Sequence, residues 1–176
     1  MKRLLLLPVG DLDERLLGEL APALQDLFRV PCERIDTRLA PEFAYHRERQ
    51  QFHSSEILQA MQSQVLPDCW RLLGVTSVDL YIPILTFVFG EAQMDGPCGV
   101  VSSHRLRQEF YGLPPDPEVL RERLLKEAAH ELGHTIGLSH CTDYQCIMAA
   151  SYAVEWIDLK GSTLCDACRD RVLASS

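Results

Sequence analysis

No segment of this 176-residue chain approaches the roughly 18 consecutive apolar residues that a membrane-spanning helix needs. It has no internal repeat and no low-complexity tract, which argues against a solenoid and against a long disordered tail. Basic residues are in the minority: 17 Lys and Arg face 25 Asp and Glu, for a formal net charge of −8, and the cations form no cluster. Phosphate backbones and anionic membranes are therefore poor candidate partners, and no nucleic-acid role is expected. A secretory signal is not expected either. The opening M-K-R-L-L-L-L-P-V-G is apolar only briefly, is interrupted by Pro8, and runs into Asp11-Leu12-Asp13-Glu14 with no small-residue cleavage site.

What is present is ordinary for a globular domain, with 47% hydrophobic and 24% charged residues and enough length to bury one substantial core. The seven cysteines are an odd number without a secretory signal, which points to a reducing, cytoplasmic setting and to metal ligation over disulfides.

Leu4 to Val9 reads as a continuously apolar strand of the kind covered on both faces. Asp11, with Glu14 three residues on, suggests a capped helix start. Leu12, Leu16, Leu20, Leu24 and Leu27 then recur at helical spacing to about Arg29, with Pro22 expected to kink or divide the helix. A short strand at Cys32 to Thr37 completes a βαβ unit, hence a parallel pair with a right-handed crossover. Residues 38 to 52 read as loop. A second helix begins at Ser54 or Ser55 and carries Ile57, Leu58, Met61 and Val65 on one face. Strands are expected at Val78 to Ile84, at Leu85 to Phe89 and, after the Asp95-Gly96-Pro97 turn, at Cys98 to Ser103. Asp116-Pro117-Glu118 is a strong helix start, and that helix should run close to twenty residues, to about Ile136. Leu125, Ala129, Leu132 and Ile136 form its expected core stripe. Past Gly137 there is little periodicity until a C-terminal helix capped near Ser162. These elements give an α/β class within one domain, residues 1–176, made of a sheet-and-helix lobe to residue 137 and an irregular lobe from 138.

The chemistry concentrates in E-A-A-H-E-L-G-H-T-I-G-L-S-H-C-T-D-Y-Q-C-I-M, residues 127–148, which holds three of the six histidines. His130 and His134, four apart on a helix, share a face and can grip one Zn²⁺, with Glu131 beside them. Gly137 lets the chain turn back with positive φ, so that His140 supplies a third nitrogen. Three protein ligands leave a fourth tetrahedral position for water, the arrangement of catalytic zinc. Zinc would polarise a scissile carbonyl and bring the pKa of its water toward about 7, while Glu131 acts as general base. H-E-x-x-H alone arises by chance on solvated helices; H-E-x-x-H-x-x-G-x-x-H fixes five residues at once. Met148 reads either as a core methionine or as a floor beneath the metal site. Cys141, Cys146, Cys165 and Cys168 follow as C-x4-C, an 18-residue gap, then C-x2-C, the usual set for a closed structural zinc. Two Zn²⁺ per chain are expected. His46, His53 and His104 have no partners in sequence and are expected in surface or core roles. Cys98 lacks an activating base, and Tyr152 is better read as a packing or surface residue than as an oxyanion donor.

His130 to His140 followed by Met148 resembles the metzincin zinc-peptidase motif, and the four cysteines make the resemblance specific to the archaemetzincins. The resemblance implies a zinc metallopeptidase acting on peptide or protein substrates, in places similar to aminopeptidases. It implies a catalytic ion on His130, His134 and His140, a methionine turn at Met148, and a second zinc on the four cysteines. It further implies a mixed, twisted sheet whose edge strand pairs with extended substrate, for which Leu85 to Phe89 is the candidate. A monomer is expected. Two other classes compete: a non-catalytic zinc-binding interaction module that kept the fold, which the intact Glu131 argues against, and a nucleic-acid-binding zinc ribbon, which the acidic charge disfavours.

Overall fold

The computed structural model describes residues 2–175. In chain order the elements are β1 (Arg3–Val9), α1 (Glu14–Phe28), β2 (Cys32–Arg34), β3 (Tyr45–His46), β4 (Gln51–His53) and α2 (Ser54–Met61), then β5 (Cys69–Thr76), β6 (Leu80–Tyr81), β7 (Gly90–Ala92) and β8 (Cys98–Ser102), and finally α3 (Pro117–Thr135), α4 (Val154–Leu159) and α5 (Asp166–Ser175). The main sheet runs β2-β1-β5-β8-β7, parallel except for the antiparallel edge strand β7. A smaller sheet, β3-β4-β6, lies beside it.

The apolar run of β1 behaves as its sequence predicts. Leu4 and Leu6 enter the core cluster that also holds Leu24 and Phe28 of α1 and Leu124 and Leu132 of α3. Leu5, Leu7 and Val9 enter the opposite cluster, with Ile57 and Met61 of α2. Alternate residues thus face two helical layers, because side chains along a strand point to opposite faces. The first cluster continues without a break through Ile147, Met148, Ile157 and Val172, so the last forty residues pack on the same core.

Several local expectations change. The N-cap of α1 is Asp13, whose side chain accepts from the Arg15 amide, and not Asp11. Glu14 is occupied by Arg34 and Arg38 on the strand side, so no capping box forms. Pro22 lies within α1 without ending it. The buried stripe is Leu17, Leu20, Leu24 and Phe28, which keeps the expected Leu20 and Leu24 and takes Leu17 and Phe28 in place of Leu16 and Leu27. The central strand β5 falls in C-W-R-L-L-G-V-T, which the periodicity reading passed over; Val78 to Ile84 contributes only the two residues of β6. Leu85 to Phe89 is not the sheet edge; the edge is the next three residues, Gly90–Ala92. Beyond Gly137 the short α4 appears, and the last helix begins at Asp166, past Ser162.

Candidate active site and metal centres

Helix α3 carries the site, and its start is well fixed. The Asp116 carboxylate accepts from the amides of Glu118 and Val119, both at 3.1 Å, and Pro117 takes the first helical position, where its missing N–H costs nothing. Eleven of its residues from Arg123 to Thr135 are buried, polar ones included, since the helix lies between the sheet and the C-terminal segment. Two glycines let it approach so closely. A Cβ on Gly90 of the edge strand would lie 2.6 Å from Val100 O, 2.7 Å from Glu131 Cγ and 2.9 Å from Glu131 Oε1. A Cβ on Gly133 would lie within 2.8 Å of Met148 Cε and closer still to its sulfur, so Met148 packs directly on the helix backbone between the histidines.

Gly137, at φ 86°, turns the chain out of the helix, its amide donating to His134 O at 2.9 Å. That reversal brings His140 back to the others. One nitrogen from each of His130, His134 and His140 lies within 4.8 Å of the rest. His130 Nδ1 is 3.0 Å from Ile147 O, and His134 Nδ1 is 2.7 Å from Leu138 O. Since carbonyls only accept, both Nδ1 atoms carry the proton, and both Nε2 atoms are left as bare lone pairs. These two Nε2 atoms nevertheless stand 3.0 Å apart. Two acceptors held face to face by their own second hydrogen bonds need a cation between them, and the spacing is near the roughly 3.3 Å of two nitrogens on tetrahedral zinc. Burial, the main cause, and the nearby Lys160 ammonium push His130 well below its ordinary pKa; burial also lowers His134, so both imidazoles are in the neutral form that binds metal.

Glu131 is buried beside them, 6% exposed. Burial first, then the Glu127 carboxylate, push it well above the usual carboxylate range, against the pull of Lys160. Glu127, one turn back on the same face, forms an ion pair with Lys160 at 2.8 Å; the two side chains are 4% and 2% exposed. The same ammonium donates to Ala149 O at 3.3 Å, so one cation ties α3 to the residue after Met148. Two further contacts bind α3 to α4: Arg123 grips Asp158 with two 2.7 Å bonds, and Lys126 donates to Ile157 O.

Cys141, Cys146, Cys165 and Cys168 place their sulfurs within 4.8 Å of one another. Cys141 and Cys165 are 3.8 Å apart, far beyond a disulfide and equal to the roughly 3.8 Å that tetrahedral Zn–S bonds of 2.3 Å impose. The Cys168 amide holds the Cys165 thiol below its ordinary pKa, while burial pushes the Cys146 and Cys168 thiols up. All seven cysteines are free of disulfides. Cys98 is buried in the sheet with its thiol pushed up to about 12 by desolvation, and it is inert. The remaining histidines lie elsewhere: His53 stacks on Tyr81, and His104 meets Ser77 O. Tyr152 is 75% exposed and meets Trp156 edge-on, on the far wall of the cleft.

The three histidines, Glu127 and Glu131 open into a cleft of about 480 Å³, walled by residues 85–92 on one side and Ala150 to Tyr152 on the other. Sequence reasoning missed Glu127 and Lys160. Nothing in the spacing pairs a helix residue with one 33 positions later.

A three-histidine set beside a buried glutamate, opening on a cleft with a free sheet edge, defines a zinc metallopeptidase, and comparison with known proteins agrees. The family model for Peptidase family M54 matches residues 34–173. The archaemetzincin of Methanocaldococcus jannaschii is 42% identical over 166 residues, covering 94% of this chain and 90% of its own. That of Thermococcus kodakarensis is 37% identical over 98% of this chain and 96% of its own. Among solved structures, a zinc-dependent peptidase from Methanocorpusculum labreanum superposes with a TM-score of 0.88 at 29% identity, covering 96% of this chain and 99% of that one. The archaemetzincin of Archaeoglobus fulgidus, complexed with malonate, superposes with a TM-score of 0.82 at 32% identity, again over 96% and 99%. The chain belongs to the archaemetzincins, Peptidase family M54. Its histidine and cysteine clusters fit a catalytic and a structural zinc.

Proposed function

We propose that this chain hydrolyses peptide bonds with Glu131 as general base and His130, His134 and His140 as ligands of the catalytic ion. The facing lone pairs of His130 and His134 carry the ligand assignment. Zinc, when bound, supplies the Lewis acid that polarises the scissile carbonyl and acidifies water. Glu131 stands on the same helix face, in the cleft, where it takes the proton of the attacking water and passes it to the leaving amine. Burial raises the Glu131 carboxyl, and a dication held by the three histidines would lower it again toward the ionised state a base requires. The unpaired side of β7 offers a backbone edge for an extended substrate. Met148 supports the histidines by packing on Gly133 and binds no metal. Cys141, Cys146, Cys165 and Cys168 hold the structural ion. Because one chain supplies every ligand and a single core spans residues 4 to 172, the reading is of one domain acting as a monomer. Seven unbridged cysteines favour a reducing, cytoplasmic location; among the described residues no helix is long and apolar enough to cross a membrane.

A peptide-library digest with Glu131→Ala as control tests this. Wild type should cleave, while the variant should keep two zinc ions and lose cleavage. Cleavage that persists in Glu131→Ala removes Glu131 as base, and a zinc content below two refutes the two-site assignment.

A further inference from the structure

The segment just before the edge strand, Leu85-Thr86-Phe87, lines the cleft mouth, yet no strand pairs with it. Side chains of the β3–β4 hairpin hold it instead. Arg49 Nη2 donates to Leu85 O at 2.7 Å and to Thr86 O at 3.1 Å, and Gln51 Nε2 donates to Thr86 O at 3.0 Å. Arg49 and Gln51 are themselves joined at 3.1 Å, and Gln51 also reaches Asp79 at 3.0 Å. Asp79 in turn holds Arg105 by two 2.7 Å bonds, and the Arg105 guanidinium lies 4.3 Å from the centre of the Phe87 ring. Gln50, between the two clamping residues, sits at φ 55°, a conformation uncommon for a residue with a side chain and one that the surrounding contacts must hold.

This arrangement has two consequences. The carbonyls of Leu85 and Thr86 are already taken by a guanidinium and an amide, so this stretch cannot serve as a template for substrate backbone. What it offers is side chains. Leu85 is 49% exposed and Phe87 packs edge-on against Phe89 at 5.1 Å, so a rigid apolar wall faces the metal site across from Tyr152.

Resting on the peptidase reading above, we infer that Leu85 and Phe87 form the specificity wall of this enzyme, that it selects peptides with a large apolar side chain next to the scissile bond, and that Arg49 and Gln51 are its positioning residues. The backbone of the substrate is read one step further on, at β7, and its side chain here. Division of labour between a strand edge and an adjoining pocket is how extended peptides are recognised in general.

The test uses zinc-loaded, full-length protein and small hydroxamates, so that it needs no turnover. Acetohydroxamate anchors to the metal alone. Hydroxamates bearing an isobutyl group on either side of the chelating unit are compared with the same molecules bearing a carboxymethyl group. The isobutyl form should bind more tightly on at least one side, by roughly tenfold or more. Arg49→Ala should bring that ratio toward one while acetohydroxamate binds as in wild type, and Arg49→Lys, which lacks the second nitrogen that bonds Gln51, should recover it only in part. Leu85→Ala, a half-exposed change that leaves the fold alone, should lower the ratio as well. Equal affinities in wild type overturn the inference, as does a ratio unchanged in both Arg49→Ala and Leu85→Ala. Loss of peptidase activity as such is scored separately by the Glu131→Ala control, so the two readings fail on different measurements.

Discussion

Replacing Lys160 with methionine probes the buried pair behind the metal site. Methionine matches the lysine stem in volume but removes the charge, stranding a carboxylate that is 4% exposed. Breaking such a pair from one side costs about 3–5 kcal/mol, because the surviving charge keeps its desolvation penalty and loses its partner. The lost donor to Ala149 O adds about 1 kcal/mol. At roughly 2–4 °C per kcal/mol for a chain of this size, thermal unfolding of the variant should fall by about 8–24 °C. The double variant Lys160→Met, Glu127→Gln removes both charges and should recover most of the loss, since a neutral replacement of a buried pair is often close to isoenergetic. The sign with pH follows from Glu127, whose carboxyl is raised above 4.5 by burial while Lys160 pulls it down. In the variant it rises further, so the folded state favours the proton more strongly. The penalty belongs to the ionised form, and the deficit relative to wild type should therefore grow as pH rises above 4.5 and shrink as pH falls toward it. Melts of wild type, both single variants and the double variant at equal zinc content measure the cycle. A Lys160→Met protein within about 1 kcal/mol of wild type, with no recovery in the double variant, would refute the claim that the pair is charged and dry.

Three further outcomes are expected. Gly90→Ala places a methyl group against Val100 O and the Glu131 side chain; it should retain both zincs yet lower kcat by up to about 100-fold, since small misplacements of a catalytic group carry that cost, and wild-type kcat would show that Glu131 is free to move. Cys165→Ser should reduce zinc content to one per chain and lower the melting temperature sharply, as metal binding energy is folding energy at such sites; a one-zinc variant as stable as wild type would contradict a structural role. Asp116→Ala should lose about 1 kcal/mol, or roughly 2–4 °C, without change in kcat, from the two amides left uncapped; an unchanged melt would mean the cap contributes nothing.

The two clusters proposed as ligands were legible because their chemistry is set by type and spacing. Residues four apart on a helix must share a face, and His130, His134, His140 and the four cysteines converge as the spacing implies. The helix start at Asp116 was equally plain, since cap, proline and first-turn acid are local signals. The expected row of α3 was less so: Leu125 and Ile136 are only half-buried, while Leu124 and Ala128 are in the core. A helix enclosed on all sides has no single apolar stripe to read. Strand β5 was missed because Leu72 to Thr76 is buried on both faces and shows no alternation. The edge strand was displaced by a few residues for a different reason. Leu85 to Phe89 has strand composition, but side chains from Arg49 and Gln51 occupy the Leu85 and Thr86 carbonyls, and only Val88 and Phe89 make backbone bonds to neighbouring strands, at Leu80 and Ser102. The Glu127–Lys160 pair depends on a tertiary approach that no local pattern encodes.

The order of elements along the chain has a bearing on biosynthesis. Every strand of the main sheet is complete by Ser102, whereas the ligands of both ions lie between His130 and Cys168. On the ribosome, where folding tends to start from the N-terminal side, the sheet can therefore assemble while the metal-binding residues are still being synthesised. Zinc is then the last component to join, closing His140 and Cys141 in neighbouring sites across a single peptide bond, and a zinc-starved cell would accumulate chains with a formed sheet and an open tail. Partial proteolysis of chains made without zinc should consequently begin after α3 and spare the residues before it.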